Sequence, residues 1–117
     1  MIDMLIKRFD SPDETRVFEK GRFELVKIGG LTVGRATYEP GWKWSVHVRP
    51  LSKTHSCEVD HVGLVISGRA HVAMDDGRAV ELRPGDLFAI GPGHDSWVVG
   101  DERYVSLHFL GASDYAK

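Results

Sequence analysis

Hydrophobic and polar residues alternate along this chain in short segments, and turns that contain glycine or proline separate these segments. Alternation with a period of two is typical of β-strands, and no stretch shows a helical period over a convincing length. The pattern predicts nine strands: Phe23–Ile28, Leu31–Tyr38, Trp42–Val48, His61–Ser67, Ala70–Met74, Ala79–Leu82, Asp86–Ile90, Ser96–Val99 and Tyr104–Leu110. The residues from Ser11 to Glu14 predict one short helical turn, with Pro12 at its first position.

Nine short strands in 117 residues predict an all-β fold, either a small β-barrel or a double-sheet jelly roll. Both arrangements limit the number of exposed sheet edges. The hydrophobic content of 42% is enough for one modest core. Residues 1–117 are therefore predicted to form a single domain.

The charged residues exclude several classes of partner. The formal net charge is −2, and no run of lysine or arginine is present that would follow a phosphate backbone, so no nucleic-acid partner is expected. No segment approaches the roughly 20 apolar residues of a membrane helix, and the N-terminus lacks the apolar stretch of a signal peptide. We therefore expect a cytoplasmic protein without a membrane partner. The single cysteine, Cys57, cannot form an internal disulfide.

Side chains that bind transition metals are concentrated between Gly41 and Gly68. His47 comes six residues after Gly41, and His61 comes seven residues before Gly68. The loop between these histidines also contains His55 and Cys57.

The glycine turns around these ligands follow a known order. Thr37–Gly41 precedes His47, Val65–Gly68 follows His61, and Arg83–Asp86 comes next. In these features the chain resembles a small single-domain member of the cupin superfamily, over about residues 31–110, with residues 1–30 as an N-terminal extension. The resemblance implies a cupin-type β-barrel with a metal site.

The resemblance also implies ligand positions, and this sequence keeps only some of them. His47 matches the first histidine of the family, but Arg49 stands at the second and cannot donate a lone pair. His61 stands at the position of the next ligand. The last histidine position is Ser96, and His94 precedes it by two residues, on the same strand face if the strand begins that early.

The predicted metal ligands are His47, Cys57, His61 and His94, with His55 as a substitute. Three imidazoles and a thiolate suit a divalent transition metal such as Zn, Fe or Ni, and also Cu, but not Mg or Ca. Alternatives remain for each residue. His47 faces solvent if Trp42–Val48 is a strand with its apolar face inward. Independently of this, the alternative for Cys57 is a buried, packed side chain.

His94 and Asp95 have two interpretations. They either close a turn or act together, with His94 as ligand or acid/base and Asp95 as its orienting partner. His71 and His108 are predicted to have structural roles. Trp42 and Trp44 are interpreted as core or subunit interface rather than as pocket lining, and Trp97 is left open between these roles.

Two functions compete at this level. The first is a metal-dependent enzyme acting on a small organic molecule, since cupins that resemble this chain include dioxygenases, isomerases and decarboxylases. The second is a non-catalytic module that binds or senses a small molecule, with a structural metal or none. A homodimer is predicted in either case, because a small sandwich commonly buries a sheet edge or face against a copy of itself.

Overall fold

The computed structural model describes residues 3–116, and Met1, Ile2 and Lys117 lie outside the described residues. The strands are β1 (Glu14–Phe18), β2 (Gly21–Ile28), β3 (Leu31–Tyr38), β4 (His61–Ser67), β5 (Arg69–Met74), β6 (Ala79–Leu82), β7 (Leu87–Ile90), β8 (His94–Val99) and β9 (Tyr104–Leu110). Two four-residue helices, α1 (Trp44–His47) and α2 (Arg49–Ser52), lie between β3 and β4. The all-β prediction is confirmed.

The strands form two antiparallel sheets. The larger sheet has the order β1-β2-β3-β9-β4-β7, and the smaller sheet has the order β6-β5-β8. One buried cluster lies between them and contains side chains from both sheets and from the segment after β9. Within residues 3–116, no helix is long and apolar enough to cross a membrane.

Most of the predicted strands are present. Four of them, β3, β4, β6 and β9, have the predicted bounds, and the predicted strands at β2, β5, β7 and β8 differ from the observed ones by one or two residues. The pattern missed β1. This strand pairs with β2 at the edge of the larger sheet, where only one of its faces contacts the protein.

The predicted strand Trp42–Val48 is wrong. Only its beginning pairs with β8, through the Val98 N–H that donates to the Trp42 carbonyl at 3.0 Å. The chain then turns into α1, where His47 N–H donates to the Lys43 carbonyl at 2.9 Å. The apolar residues recur at every second position, but Val46 is 57% exposed whereas Val48 is 1% exposed, so they do not form one strand face.

The helical turn predicted from Ser11 is also wrong. Asp13 instead lies beside β2, since its N–H donates to the Leu25 carbonyl at 2.8 Å. Its carboxylate accepts a hydrogen bond from the Lys27 N–H at 2.7 Å. Aspartate side chains commonly accept hydrogen bonds from backbone N–H groups, which competes with helix formation. Here the hydrogen bond to Lys27 aligns the chain for β1.

The tryptophans divide between the core and a sheet surface. Trp42 and Trp44 are each 1% exposed, and Trp42 stacks on Tyr38 with ring centroids 3.8 Å apart. They are core residues, and at 1% exposure neither can contribute to a subunit interface. Trp97 is half-buried on β8, where it stacks on His71 at 4.8 Å.

Candidate metal centre

An internal cavity of about 40 Å³ lies between the two sheets. Its lining includes His61 and His108 from the larger sheet, His94 and Ser96 from the smaller sheet, and Tyr115 from the segment after β9. None of the described residues that line the cavity is Asp, Glu, Lys or Arg. The cavity has room for a few water molecules, since a single water needs about 10–15 Å³.

Cys57, His61 and His94 come together at one side of this cavity. One potential ligand atom from each of the three lies within 4.8 Å of the other two. All three side chains are buried, with exposed fractions of 2%, 6% and 4%. Buried polar groups are costly unless they have partners, so this concentration of lone-pair donors needs a chemical explanation.

The strand periodicity places the two histidines. His61 is the first residue of β4 and His94 is the first residue of β8, and both point toward the core. Their strands belong to opposite sheets, so the two rings meet across the interior with centroids 5.2 Å apart. The strand does begin as early as His94, and His94 and Ser96 both line the cavity as the shared parity predicts.

Backbone pairing places Cys57. Its N–H donates to the His94 carbonyl at 2.8 Å, and its carbonyl accepts from the Gly93 N–H at 2.8 Å. The preceding Ser56 hydroxyl donates to Asp75 at 2.6 Å and holds the loop against the turn after β5. The long loop before β4 therefore returns to the barrel, and the thiol sulfur lies 3.5 Å from Nε2 of His61.

A backbone carbonyl determines the tautomer of His94. Nδ1 of His94 lies 2.7 Å from the Gly91 carbonyl oxygen. Because a carbonyl only accepts, Nδ1 carries the proton, and the lone pair is on Nε2. Metal-binding histidines commonly have this second hydrogen bond, which orients the ring.

Burial sets the protonation states of the three residues. It lowers the pKa of His61 to about 2, with nearby His108 and His94 contributing further, and it also lowers the pKa of His94. Burial raises the pKa of the Cys57 thiol to about 11. At neutral pH without a metal, both imidazoles are therefore uncharged with free lone pairs, and the thiol is protonated.

This donor set fits a transition metal. Thiolate and imidazole are the ligands that zinc prefers, and they also bind iron and nickel. Ligand atoms that are about 2.0–2.3 Å from a zinc ion lie about 3.5 Å from one another. The three potential ligand atoms lie within 4.8 Å of one another, so a shift of about one ångström would bring them to these distances. Nε2 of His94 also has a free lone pair, because Nδ1 carries the proton.

The remaining predicted ligands lie elsewhere. His47 is half-buried on α1, where its Nδ1 lies 3.0 Å from the Lys43 backbone nitrogen, and His55 is exposed in the loop. Neither belongs to the group of three. Asp95 does not orient His94: it follows His94 on β8, and its carboxylate accepts from the Ser45 N–H at 3.0 Å.

Comparison with solved structures places this arrangement in a known fold. A protein of unknown function from Rhizobium leguminosarum bv. viciae 3841 is 22% identical with a TM-score of 0.57, and the alignment covers 90% of this chain and 95% of that one. A sugar phosphate isomerase from Silicibacter pomeroyi, described as from a cupin superfamily, is 20% identical with a TM-score of 0.61. That alignment covers 86% of this chain and 71% of the isomerase.

A mutant of Bacillus subtilis oxalate decarboxylase is 21% identical with a TM-score of 0.57, and the alignment covers 83% of this chain and 27% of that one. The chain has the cupin fold. A comparison with protein-family models finds no match, and neither does a comparison with curated proteins.

Within this fold, His108 lies next to the three donors although the sequence predicts only a structural role for it. Its Nε2 is 2.9 Å from the Ser106 hydroxyl, and its ring centroid is 5.2 Å from that of His61. Burial lowers its pKa to about 4. Alternation along β9 places His108 on the inward face with Tyr104 and Ser106, and this parity is the feature from which its position could have been inferred.

Two buried ring nitrogens beside the cavity have no protein partner. These are Nδ1 of His61 and Nδ1 of His108, which find no hydrogen-bond partner among the described residues. Buried polar atoms in proteins are nearly always paired with protein or water. Because both rings line the cavity, a polar occupant of the cavity is the partner that would satisfy them.

Proposed function

We propose that this cupin binds one divalent transition metal ion, Zn, Fe or Ni, through Cys57, His61 and His94. The observation that carries the proposal is the meeting of three buried donors from a loop and two opposite sheets, with potential ligand atoms within 4.8 Å of one another. The hydrogen bond from His94 to the Gly91 carbonyl supports it, because it holds the ring with its lone pair available.

We further propose that the protein is an enzyme acting on a small organic substrate, of dioxygenase, isomerase or decarboxylase type. Three protein ligands are typical of catalytic sites, in which one coordination position stays open, whereas structural sites have four. A bound metal ion would supply a Lewis acid that polarises a carbonyl or carboxylate group. Two of the similar structures are named as an isomerase and a decarboxylase, which supports this class.

The protein residues around the cavity select the substrate. The cavity of about 40 Å³ and its aromatic walls favour a molecule of a few heavy atoms. His61 and His108 each present a ring nitrogen that lacks a protein partner, and these nitrogens would orient a polar group of the substrate. The buried tyrosines and Trp42 exclude bulk water from the same space.

One observation favours the alternative, a non-catalytic module that binds or senses a small molecule. The cavity lining includes no carboxylate and no lysine among the described residues, so proton transfer there rests on histidine and tyrosine. Burial raises the pKa of Tyr38 and Tyr115 well above the usual value and lowers that of His108 to about 4. These groups are therefore poor acids and bases at neutral pH.

Metal analysis tests the first proposal, and ligand exchange separates the two functions. Elemental mass spectrometry of the purified protein should find close to one transition-metal ion per chain. After substitution with Co²⁺, azide should change the visible spectrum if a coordination position is open, and should leave it unchanged if the site is closed. A protein without metal that also fails to bind added Zn²⁺ or Co²⁺ would contradict the metal centre itself.

A further inference from the structure

The two sheets are open toward solvent along one side of the molecule. Among the described residues, β6 pairs only with β5 and β7 pairs only with β4, so both are edge strands. The opposite edge of the smaller sheet is covered, because β8 pairs with the chain at Lys43 and at Cys57. Between the start of β6 and the end of β7 lies a surface groove of about 500 Å³, which we call the β6–β7 groove.

An inward-facing side chain is exposed in this groove. Val80 on β6 pairs with Val72 on β5, and cross-strand partners lie on the same face of a sheet. Val72 lines the internal cavity, so Val80 also stands on the inward face. However, Val72 is 5% exposed whereas Val80 is 52% exposed. The larger sheet therefore leaves this part of the inward face uncovered.

The β6–β7 groove is apolar. Its described lining consists of valine, methionine, alanine, isoleucine, glycine and proline, with Arg78 as the one charged residue. The guanidinium of Arg78 donates to the Asp76 carboxylate at 2.8 Å, so its charge is already compensated. A concave site of several hundred cubic ångströms with such a lining is typical of small organic ligands.

The groove meets the internal cavity of the candidate metal centre. Val72 and Ile90 line both spaces. Ile90 pairs with His61 on β4, which places its side chain on the inward face beside that histidine. Gly91 lines the groove, and its carbonyl is the group that orients His94. Because Ile90 is only half-buried, a change of its rotamer would connect the two spaces.

The two spaces suit different parts of one ligand. In the cavity, Nδ1 of His61 and Nδ1 of His108 have no protein partner, although both side chains are only 6% exposed. These atoms require a polar group, since buried polar atoms are nearly always paired. The cavity of about 40 Å³ holds only a few heavy atoms, whereas the groove offers a larger apolar surface next to it.

We propose that the ligand of this site is an amphipathic carboxylate or carbonyl compound, with its polar group in the cavity and an aliphatic tail in the β6–β7 groove. This inference rests on the proposed function, which places the polar group at the metal centre, and it adds the chemical class of the rest of the molecule. Removing a methylene group from water is favourable, so each one that the groove buries should raise affinity about two- to fourfold.

Straight-chain carboxylates of increasing length test the groove. In calorimetric titrations of metal-free and of zinc-loaded protein with butanoate, hexanoate and octanoate, the dissociation constant should fall about two- to fourfold per methylene in both forms. Val80→Asp and Val80→Asn should each lower the ratio of octanoate affinity to butanoate affinity at least about fivefold. The asparagine variant carries no charge, so repulsion of the probe does not explain its effect. Val17→Asp is the matched control and should keep the ratio, since Val17 is 76% exposed on β1 at the edge of the larger sheet.

A substitution in the cavity tests the polar end. His108→Leu removes an unpaired ring nitrogen and should weaken all three carboxylates by the same factor, about tenfold, while the octanoate-to-butanoate ratio stays at the wild-type value. The proposal is overturned by affinities that do not depend on chain length, by a ratio that is unchanged in both Val80 variants, or by a His108→Leu protein that binds as tightly as the wild type. Failure of the metal centre gives a different result. A protein that takes up no zinc but keeps the chain-length dependence contradicts the metal centre and supports the groove.

Discussion

The hydroxyl of Tyr38 lies 2.7 Å from the hydroxyl of Tyr115, and this hydrogen bond joins β3 to the segment after β9 inside the barrel. The Tyr115 ring packs against Phe23 and His61, with centroids 4.9 and 5.2 Å away. Arg16 on β1 fixes the segment from outside, because its guanidinium donates to the carbonyls of residues 112, 113 and 115. Tyr115 thus forms a wall between the candidate metal centre and the end of the barrel.

Replacing Tyr115 should open the site. Tyr115→Ala removes a buried ring and should lower the free energy of unfolding by about 4 kcal/mol. In chelator-treated protein it should also speed the alkylation of Cys57 by iodoacetamide, since that thiol is only 2% exposed. Tyr115→Phe is the matched control: it loses the hydrogen bond to Tyr38, at about 1–3 kcal/mol, but keeps the wall and the slow reaction. Equal alkylation rates in the two variants would contradict the role of the ring.

Metal occupancy should depend on the three buried donors. His61→Ala and His94→Ala should each lower the metal content of the purified protein at least about tenfold, because each removes a ligand from a set of three. His71→Ala is the matched control, since His71 stacks on Trp97 away from the site. His108→Ala tests the neighbouring histidine and should retain metal. Elemental mass spectrometry measures the metal content, and equal metal occupancy in all four variants would contradict the assignment of His61 and His94 as ligands.

Metal binding should release about one proton per chain at pH 7. The Cys57 thiol has a pKa of about 11 in the metal-free protein and must lose its proton to coordinate, while burial lowers the pKa of His61 and of His94, so both are already neutral. Affinity for Zn²⁺ should therefore rise about tenfold per pH unit between pH 7 and 9. A pH indicator in weak buffer measures the release, and Cys57→Ser should release none and bind more weakly.

The spectrum of the Co²⁺-substituted protein tests whether Cys57 is a ligand or only a packed side chain. If the sulfur coordinates, the Co²⁺ form should show a sulfur-to-metal charge-transfer band in the near ultraviolet, and the serine variant should lack it. Simple burial predicts no such band, and it predicts a serine variant that loses stability but keeps its metal. That second outcome would leave His61 and His94 as a two-residue site.

Acid should destabilise the metal-free protein between about pH 6.5 and pH 4 because of His108. Burial lowers the pKa of His108 to about 4, below the value of about 6.5 in an unfolded chain. Between these values the unfolded state binds a proton at this site that the folded state does not, so the free energy of unfolding decreases as pH falls. In denaturant titrations, the free energy of unfolding of His108→Gln should change less steeply with pH than that of the wild type, by about 1.1 kcal/mol per pH unit between pH 4.5 and 6. An unchanged slope would contradict the buried neutral state.

The sequence by itself determined the strands that alternate cleanly and the side chains that these strands point inward. The bounds of β3, β4, β6 and β9 could be predicted, as could the position of His61 and the inward parity of His94 with Ser96. The order of the glycine turns resembles that of the cupin superfamily, and this resemblance predicted the cupin-type fold. These features are local, because a two-residue period and a turn residue act on their immediate neighbours.

Only the tertiary structure decided which donors meet. Cys57 approaches His94 because the long loop pairs with the start of β8, and His47 is placed elsewhere because the chain after Lys43 turns into α1. His108 and Tyr115 come to the same cavity from β9 and the segment that follows it. Each of these contacts depends on a backbone pairing or an aromatic packing between residues far apart in sequence. The periodicity of a single segment carries no information about such a partner.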